Sequence, residues 1–257
     1  MDRFQRLAQA ENYALYYGSG QGEELARFDL AIVEPAGQSA LSLHAIKRYG
    51  TLTLAYLSIM EVAPWAPEMP ALAQSDFLHL NGGPYINPAY GNYWVDIRSG
   101  RWGTMLRQRI SSLLEGAGYD GLFLDTIGYV EAPFLPERLR AGLLSAAAGL
   151  VRKLRYAYPE HIIVQNGGLV ELFRHTAGYV NGFCWENPPL GSAGGTEWVQ
   201  GVVANLSALR DKDIQVLLLW DGCDECPDEV LTIAGQKRFL VYRAPGSYVA
   251  GINLAGR

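Results

Sequence analysis

The stretch GLFLD at Gly121–Asp125 is a short apolar run that ends in a carboxylate, and this pattern decides the fold. Similar runs that end in an acid or an amide recur along the chain, at residues 29–34 (DLAIVE), 161–166 (HIIVQN), 179–186 (YVNGFCWE) and 215–221 (QVLLLWD). Strands that are apolar almost throughout are typical of a parallel sheet that is buried on both faces. The pattern therefore predicts parallel strands with polar groups at their carboxyl ends.

Strands and helices alternate on both sides of this stretch. Three more strands are predicted at residues 13–18, 51–60 and 248–252, and helices at residues 21–27, 39–49, 102–116, 139–156, 169–175, 196–209 and 228–243. A chain of 257 residues without a Ser/Gly linker fits a single α/β domain over residues 1–257, a (β/α)8 TIM barrel. A doubly wound sheet is the alternative, but GSGQGEE at residues 18–24 has the wrong glycine spacing for a dinucleotide fingerprint.

Composition excludes several classes of protein. The 26 Asp and Glu residues outnumber the 21 Lys and Arg residues, and the net charge of −5 argues against a nucleic-acid partner. No apolar run is long enough to cross a membrane, and three cysteines are too few for a disulfide scaffold. Residues 1–9 do not resemble a signal peptide, so the chain as it stands is expected in the cytoplasm, or outside the cell if a leader has been removed. A monomer is expected.

Carboxylates collect where a barrel would place its active site. Five acids end predicted strands, and a sixth lies in the long Pro/Gly-rich segment after the third strand; they are Glu34, Glu61, Asp125, Glu186, Asp221 and, in that segment, Asp96. A barrel gathers the carboxyl ends of its strands on one face, where the active sites of this fold are built. Because like charges at short range repel, such a crowd indicates a functional site.

Aromatic residues accompany these acids. The chain has 15 Tyr, 8 Phe and 6 Trp, and Tyr17, Trp65 and Trp94 are candidate platforms for a sugar ring. Strand alternation turns Trp185 and Trp220 away from the neighbouring acids, so both are predicted to pack against helices. Two carboxylates with aromatic platforms are what cleavage of a glycosidic bond requires, since one protonates the leaving oxygen and the other attacks or activates water.

The block GYDGLFLDT at residues 118–126 resembles a block of glycoside hydrolase family 114, the endo-α-1,4-polygalactosaminidase-like barrels. The segments AYLSIME (55–61), YWVDIR (93–98), QNGG (165–168) and GFCWEN (182–187) are similar to the other blocks of that family, in the same order. Two residues depart from the family pattern, Met60 before Glu61 and Gly222 after Asp221, and both would alter the walls of sugar subsites.

The resemblance implies cleavage of α-1,4-linked galactosamine-rich polysaccharide, with the two catalytic carboxylates at Asp125 and Glu186. By analogy with retaining barrel α-glycosidases, Asp125 would be the nucleophile and Glu186 the acid/base. Substrate hydroxyls or amines would be held by Glu61, Asp96 and Asn166, and Asp221 matches a strand-seven acid of the family. Glu34 and Tyr17 complete the predicted substrate-binding set.

Two other functions stay open at this point. Glu61, Asp125, Glu186 and Asp221 could hold Mg²⁺ in a metal-dependent barrel enzyme, although no Lys or His base ends a predicted strand. A sugar-binding barrel without catalysis is the other alternative. The CxxC at Cys223–Asp224–Glu225–Cys226 has no second ligand pair, so a disulfide or two free thiols are favoured over a metal. Neither a metal nor a cofactor is expected.

Overall fold

The computed structural model describes residues 2–190, 197–221 and 227–254, and eight parallel strands form its one large sheet. The strands follow one another in chain order around the barrel: β1 Tyr13–Tyr16, β2 Leu30–Val33, β3 Leu52–Ser58, β4 Gly121–Asp125, β5 Ile162–Asn166, β6 Gly182–Glu186, β7 Gln215–Asp221 and β8 Leu240–Ala244. Each strand pairs in parallel with the next, and the sheet closes into a nearly complete barrel.

Helices connect the successive strands, as a parallel barrel requires. Helix α1 (Arg3–Ala8) precedes β1, and the connecting helices are α2 Gly22–Leu25, α3 Ala40–Lys47, α4 Gly100–Ser111, α5 Glu137–Ala157, α6 Leu172–Thr176, α7 Glu197–Arg210 and α8 Asp228–Lys237. The prediction of a single TIM barrel is confirmed. None of the helices in the described ranges is both long enough and apolar enough to span a bilayer.

Burial explains why the strands read as apolar runs. In β4 the residues Gly121–Leu124 are buried and only Asp125 is partly exposed, and β6 repeats this pattern up to Glu186. Side chains of a barrel strand alternate between the interior and the surrounding helices, so both sets leave water. The carboxyl ends of β4 and β6 therefore present Asp125 and Glu186 at the rim of an otherwise apolar core.

The eighth strand does not lie where the sequence predicted it. Helix α8 ends at Lys237 rather than at residue 243, because Arg238 adopts a left-handed conformation with φ of 58°. Strand β8 follows at Leu240–Ala244, and the predicted strand at 248–252 is a non-strand segment instead. The first residue of the helix predicted at residues 196–209 lies outside the described residues, and the helix is observed from Glu197.

Side chains hold together the two strands at the ends of the sheet, β1 and β8. In the described part of the chain no backbone ladder joins these strands. Instead the ring of Tyr242 lies 5.6 Å from that of Tyr13 and 6.2 Å from that of Phe28. One backbone hydrogen bond crosses above the strands, from Tyr17 N to Tyr248 O at 2.7 Å.

The long segment after β3 folds over the carboxyl end of the barrel. Glu61–Val62 pairs antiparallel with Tyr93–Trp94, and His79–Leu80 pairs with Gly83–Pro84. The segment then enters α4, whose Trp102 is buried and donates its indole N–H to Ile59 O at 2.8 Å. This packing gives the cavity at the top of the barrel one of its walls.

Candidate active site

A cavity of about 480 Å³ opens at the carboxyl end of the barrel. Acidic, amide and aromatic side chains line it, among them Asp125, Glu186, Glu61, Asn92, Asn166, Tyr17, Tyr56, Tyr90, Tyr129, Trp185 and Tyr248. Five residues of the predicted site are in this set: Asp125, Glu186, Glu61, Asn166 and Tyr17. The cavity is thus where the barrel brings the predicted carboxylates together.

Asn166 joins the two central carboxylates. Its Nδ2 donates to Asp125 Oδ1 at 2.8 Å and to Glu186 Oε2 at 3.3 Å. The side chain reaches both because β5 lies between β4 and β6 in the sheet and all three residues end their strands. One amide group therefore fixes the relative position of the two acids.

A tyrosine hydroxyl binds each of these acids from the other side. Tyr56 donates to Asp125 Oδ2 at 2.8 Å, and Tyr248 donates to Glu186 Oε1. The Tyr17 ring lies between them, with its centroid 4.5 Å from that of Tyr56 and 5.1 Å from that of Tyr248. Neither Tyr56 nor Tyr248 was among the predicted site residues. Alternation along β3 is the signal that could have identified Tyr56.

The surroundings of Glu186 favour its protonated form. Burial raises the pKa of Glu186, and the negative charge of Asp125 raises it further. The hydrogen bonds from Tyr248 and Asn166 oppose this by lowering the pKa of Glu186, but the net shift is upward. A carboxyl group whose pKa lies above its ordinary value keeps its proton at higher pH and can act as a general acid.

The residue that follows each acid adopts a left-handed backbone, with φ of 59° at Thr126 and 44° at Asn187. Thr126 Oγ1 accepts hydrogen bonds from Ile59 N and Met60 N, at 3.0 and 2.8 Å. Asn187 Oδ1 accepts one from Asp221 N at 2.8 Å. Left-handed non-glycine residues cluster at functional sites, and here each one turns the chain sharply where the strand ends.

Glu61 lines the cavity, but internal donors surround its carboxylate. Asn87 Nδ2 and Trp94 Nε1 donate to Oε1, at 2.5 and 3.0 Å, and Asn92 Nδ2 donates to Oε2 at 3.1 Å. The residue is only 6% exposed. Glu61 thus holds the segment that folds over the barrel.

Trp94 is not among the residues that line the cavity. It is buried behind Tyr129, and the two rings stack with centroids 4.5 Å apart and an angle of 16°. Trp65 is 80% exposed and also lies outside the lining. Trp185, which was predicted only to pack, does line the cavity, with its ring set edge-on to Trp198.

Three predicted acids lie outside the lining of the cavity. Glu34 accepts from Ala36 N at 3.1 Å, where it caps a short 3-10 helix, and Asp96 forms a bidentate pair with Arg98 at 2.8 and 2.6 Å. Asp221 ends β7 and is near enough for its charge to raise the pKa of Glu186, behind burial and Asp125 in effect. The structure therefore separates Glu34 and Asp96 from the central pair and leaves Asp221 close to it.

No group of three His, Cys, Asp or Glu side chains within residues 2–190, 197–221 and 227–254 is arranged to hold a metal ion. Cys223 and Cys226 lie outside the described residues. Cys184, in β6, is buried as a free thiol.

Comparison with known proteins identifies the family. The model of glycoside-hydrolase family GH114 matches residues 5–152, which is more than half of the chain. No curated protein matches.

Solved structures share the fold. The glycoside hydrolase domain of PelA from Pseudomonas aeruginosa is 22% identical, with a TM-score of 0.74 over 91% of this chain and 94% of that one. Ega3 from Aspergillus fumigatus, in complex with galactosamine, is 12% identical, with a TM-score of 0.71 over 98% of each chain. An α-galactosidase from Thermus thermophilus is 16% identical, with a TM-score of 0.59 over 89% of this chain and 54% of that one. The chain belongs to glycoside hydrolase family GH114.

Proposed function

We propose that this glycoside hydrolase cleaves α-1,4-linked galactosamine-rich polysaccharide by a retaining mechanism, with Asp125 as nucleophile and Glu186 as acid/base. The observation that carries the proposal is the shared hydrogen bonding of Asn166 to both carboxylates. Since one nitrogen contacts both, Asp125 Oδ1 and Glu186 Oε2 lie within about 6 Å of each other, which favours the close carboxyl spacing of retaining enzymes, about 5–5.5 Å, over the wider spacing of inverting enzymes.

The two acids would then divide the reaction. Glu186, whose pKa burial raises, gives its proton to the glycosidic oxygen while Asp125 attacks the anomeric carbon, so that the sugar–oxygen bond breaks as a glycosyl–Asp125 ester forms. The Glu186 carboxylate next takes a proton from water, whose oxygen displaces Asp125. Hydrogen bonds from Tyr56 and Asn166 hold the Asp125 carboxylate ready for both steps.

Charge supports an amino-sugar substrate. Besides the acid Glu186, the carboxyl groups of Asp125 and Glu61 line the cavity, and none of the described residues around it is Lys or Arg. A negative cavity raises the local concentration of a cationic ligand, and a galactosamine unit with a free amine is such a ligand. Ega3, which shares the fold, was crystallised with galactosamine. The enzyme is expected to act as a monomer, which sedimentation would check.

The test is hydrolysis of galactosamine polymer by Asp125→Asn and Glu186→Gln, with the surface change Glu23→Gln on α2 as the control. We expect each active-site variant to lose at least about a thousandfold in kcat, and the control to match the wild type. NMR of the first product should show the α anomer for a retaining enzyme. A first product with the β anomer would contradict retention, and full activity of either variant would contradict its catalytic role.

A further inference from the structure

A closed turn at residues 87–92 lies at the mouth of the cavity. Asn87 N donates to Asn92 O and Gly91 N donates to Asn87 O, both at 2.8 Å. Ala89 N donates to the Asn87 side chain at 3.0 Å, and Gly91 takes φ of 71°, which closes the turn. The turn is thus defined by its own hydrogen bonds.

Both ends of this turn are attached to one buried group. Asn87 and Asn92 donate to the two different oxygens of Glu61, and Trp94 adds a third donor. A hydrogen bond to a charged acceptor that is shielded from water is stronger than one between neutral groups. The turn is therefore held rigidly over the end of β3.

Tyr90 projects from the tip of this turn. Its side chain lines the cavity and yet is 66% exposed, and no described residue forms a hydrogen bond or a ring contact with it. Partial burial and the charges of Glu186, Asp221, Glu61 and Asp125 raise the pKa of Tyr90. A rigid turn thus presents a free aromatic ring in the cavity that Asp125 and Glu186 also line.

We propose that Tyr90 is a platform on which one sugar unit of the bound polymer stacks, and that Glu61 is the positioning residue that holds the platform in place. The apolar face of a pyranose would lie on the ring, and the carboxylates below would be within reach of its amine. The nature of that sugar rests on the proposed function. The role of Glu61 differs from the direct substrate contact that the sequence predicted.

The experiment measures kcat and KM on galactosamine polymer for the wild type, Tyr90→Ala, Tyr90→Phe and Tyr49→Ala. Tyr49 is a matched control because it is 71% exposed at the amino-terminal end of β3, on the opposite side of the barrel. We expect Tyr90→Ala to raise KM roughly three- to tenfold with kcat nearly unchanged, and Tyr90→Phe and the control to keep the wild-type KM.

The single variant Glu61→Gln and the double variant Glu61→Gln/Tyr90→Ala together test how the two residues are related. Gln keeps one acceptor but turns an amide N–H₂ toward the other Asn, so one end of the turn is released. If Glu61 acts through Tyr90, the double variant should have the same KM as Tyr90→Ala. Additive losses would show that Glu61 acts independently and would overturn its positioning role.

Turnover by the wild type tests the proposed function, whereas the ratio of variant KM to wild-type KM tests the platform role of Tyr90. Turnover with an equal KM for wild type and Tyr90→Ala would overturn the platform and leave the proposed function standing. Absence of turnover on galactosamine polymer would overturn the proposed function and, with it, a galactosamine unit as the stacked sugar. A KM raised as much in Tyr90→Phe as in Tyr90→Ala would contradict stacking, because Tyr90→Phe keeps the ring.

Discussion

Two carboxyl groups share one cavity, and burial, neighbouring charge and hydrogen bonds together set the pKa of Glu186. Tyr248 and Asn166 lower the pKa of Glu186, whereas burial and Asp125 raise it more strongly. The pKa of Glu186 is therefore a balance of opposing effects, and the hydrogen bond from Tyr248 limits how far it rises. Tyr248 should act as a positioning residue that also sets the pH range of the acid.

Tyr248→Phe should move the basic limb of the pH profile to higher pH. The change removes a donor to the ionised form of Glu186, so the pKa of Glu186 rises and the protonated acid persists further into the alkaline range. We also expect kcat to fall roughly tenfold, since a hydrogen bond to a charged group is worth about 1.5 kcal/mol. The measurement is kcat/KM against pH.

Tyr56→Phe is the matched control, since it removes the same hydroxyl from the other acid. It should reduce kcat and leave the basic limb where the wild type has it. If both variants moved that limb equally, or if neither did, the specific link between Tyr248 and the acid would be wrong.

At the scale of elements, the segments that follow β4 and β5 pack backbone to backbone, with no side chain between them. A Cβ placed on Gly128, in the 3-10 helix after β4, would lie 2.6 Å from Gly168 N. Gly167 and Gly168 follow Asn166 in left-handed conformations, with φ of 72° and 64°. Close approach of these backbones thus fixes the floor of the cavity between Asp125 and Asn166.

Gly128→Ala should force these loops apart. Because the clash is with backbone, we expect the free energy of unfolding to fall by about 2 kcal/mol, and kcat to fall with it as the contact between Asn166 and Asp125 lengthens. Gly149→Ala is the control, since Gly149 is in the middle of α5 with no atom within 4 Å of the added carbon. That control should gain up to about 1 kcal/mol in denaturant unfolding, from helix propensity. If Gly128→Ala were as stable as the wild type, the two loops would be able to move apart without cost, and the close approach would not fix the floor of the cavity.

The sequence predicts the elements whose pattern is periodic. Strands such as β4 and β6, and the acids that end them, follow from apolar runs that a doubly buried sheet requires. The eighth strand was misplaced because apolar residues from Phe239 to Tyr242 continue the pattern of α8, and a short apolar run fits helix or strand equally. The left-handed Arg238 that separates them leaves no periodic signal.

The central pair of acids was predictable because it lies at the ends of strands. Asp125, Glu186 and Asn166 end strands, so topology brings them together. Tyr90 and Tyr248 lie on irregular segments, whose path depends on long-range contacts such as those of Glu61 and Tyr17. Glu61 and Trp94 were recognised as belonging to the region, but hydrogen bonding within the segment turns them inward, which spacing alone does not reveal.

At the scale of the whole molecule, the amino-terminal end of β4, opposite the active site, contributes to the stability of the barrel. Asp120, in the GYDG block, is nearly buried and accepts from Thr53 N and Oγ1, both at 3.0 Å. Arg3 of α1 and Lys47 of α3 each approach it to 3.1 Å. Burial tends to raise the pKa of Asp120, but Thr53 and Lys47 outweigh it, so the net shift is downward. One carboxylate thus ties two helices to two strands.

Asp120→Asn should lower the free energy of unfolding by roughly 3 kcal/mol near neutral pH and leave kcat/KM unchanged. A carboxyl whose pKa is lowered by folding stabilises above its unfolded pKa, and that contribution is lost as pH falls through the folded value. The difference between wild type and variant should therefore shrink in acid, as chemical denaturation at several pH values would measure. A difference independent of pH would mean that the ionised form is not what stabilises the barrel.

The boundary between β1 and β8 has a consequence for how the enzyme fails on heating. Ring packing of Tyr13 and Tyr242 closes the barrel there, in place of a ladder between the described strands. Amide hydrogens of β1 and β8 should therefore exchange with deuterium sooner than those of β4 and β5. Because Tyr248 O accepts from Tyr17 N across this boundary, a local opening would draw the hydroxyl away from Glu186. Activity would then be lost at a temperature below that of global unfolding.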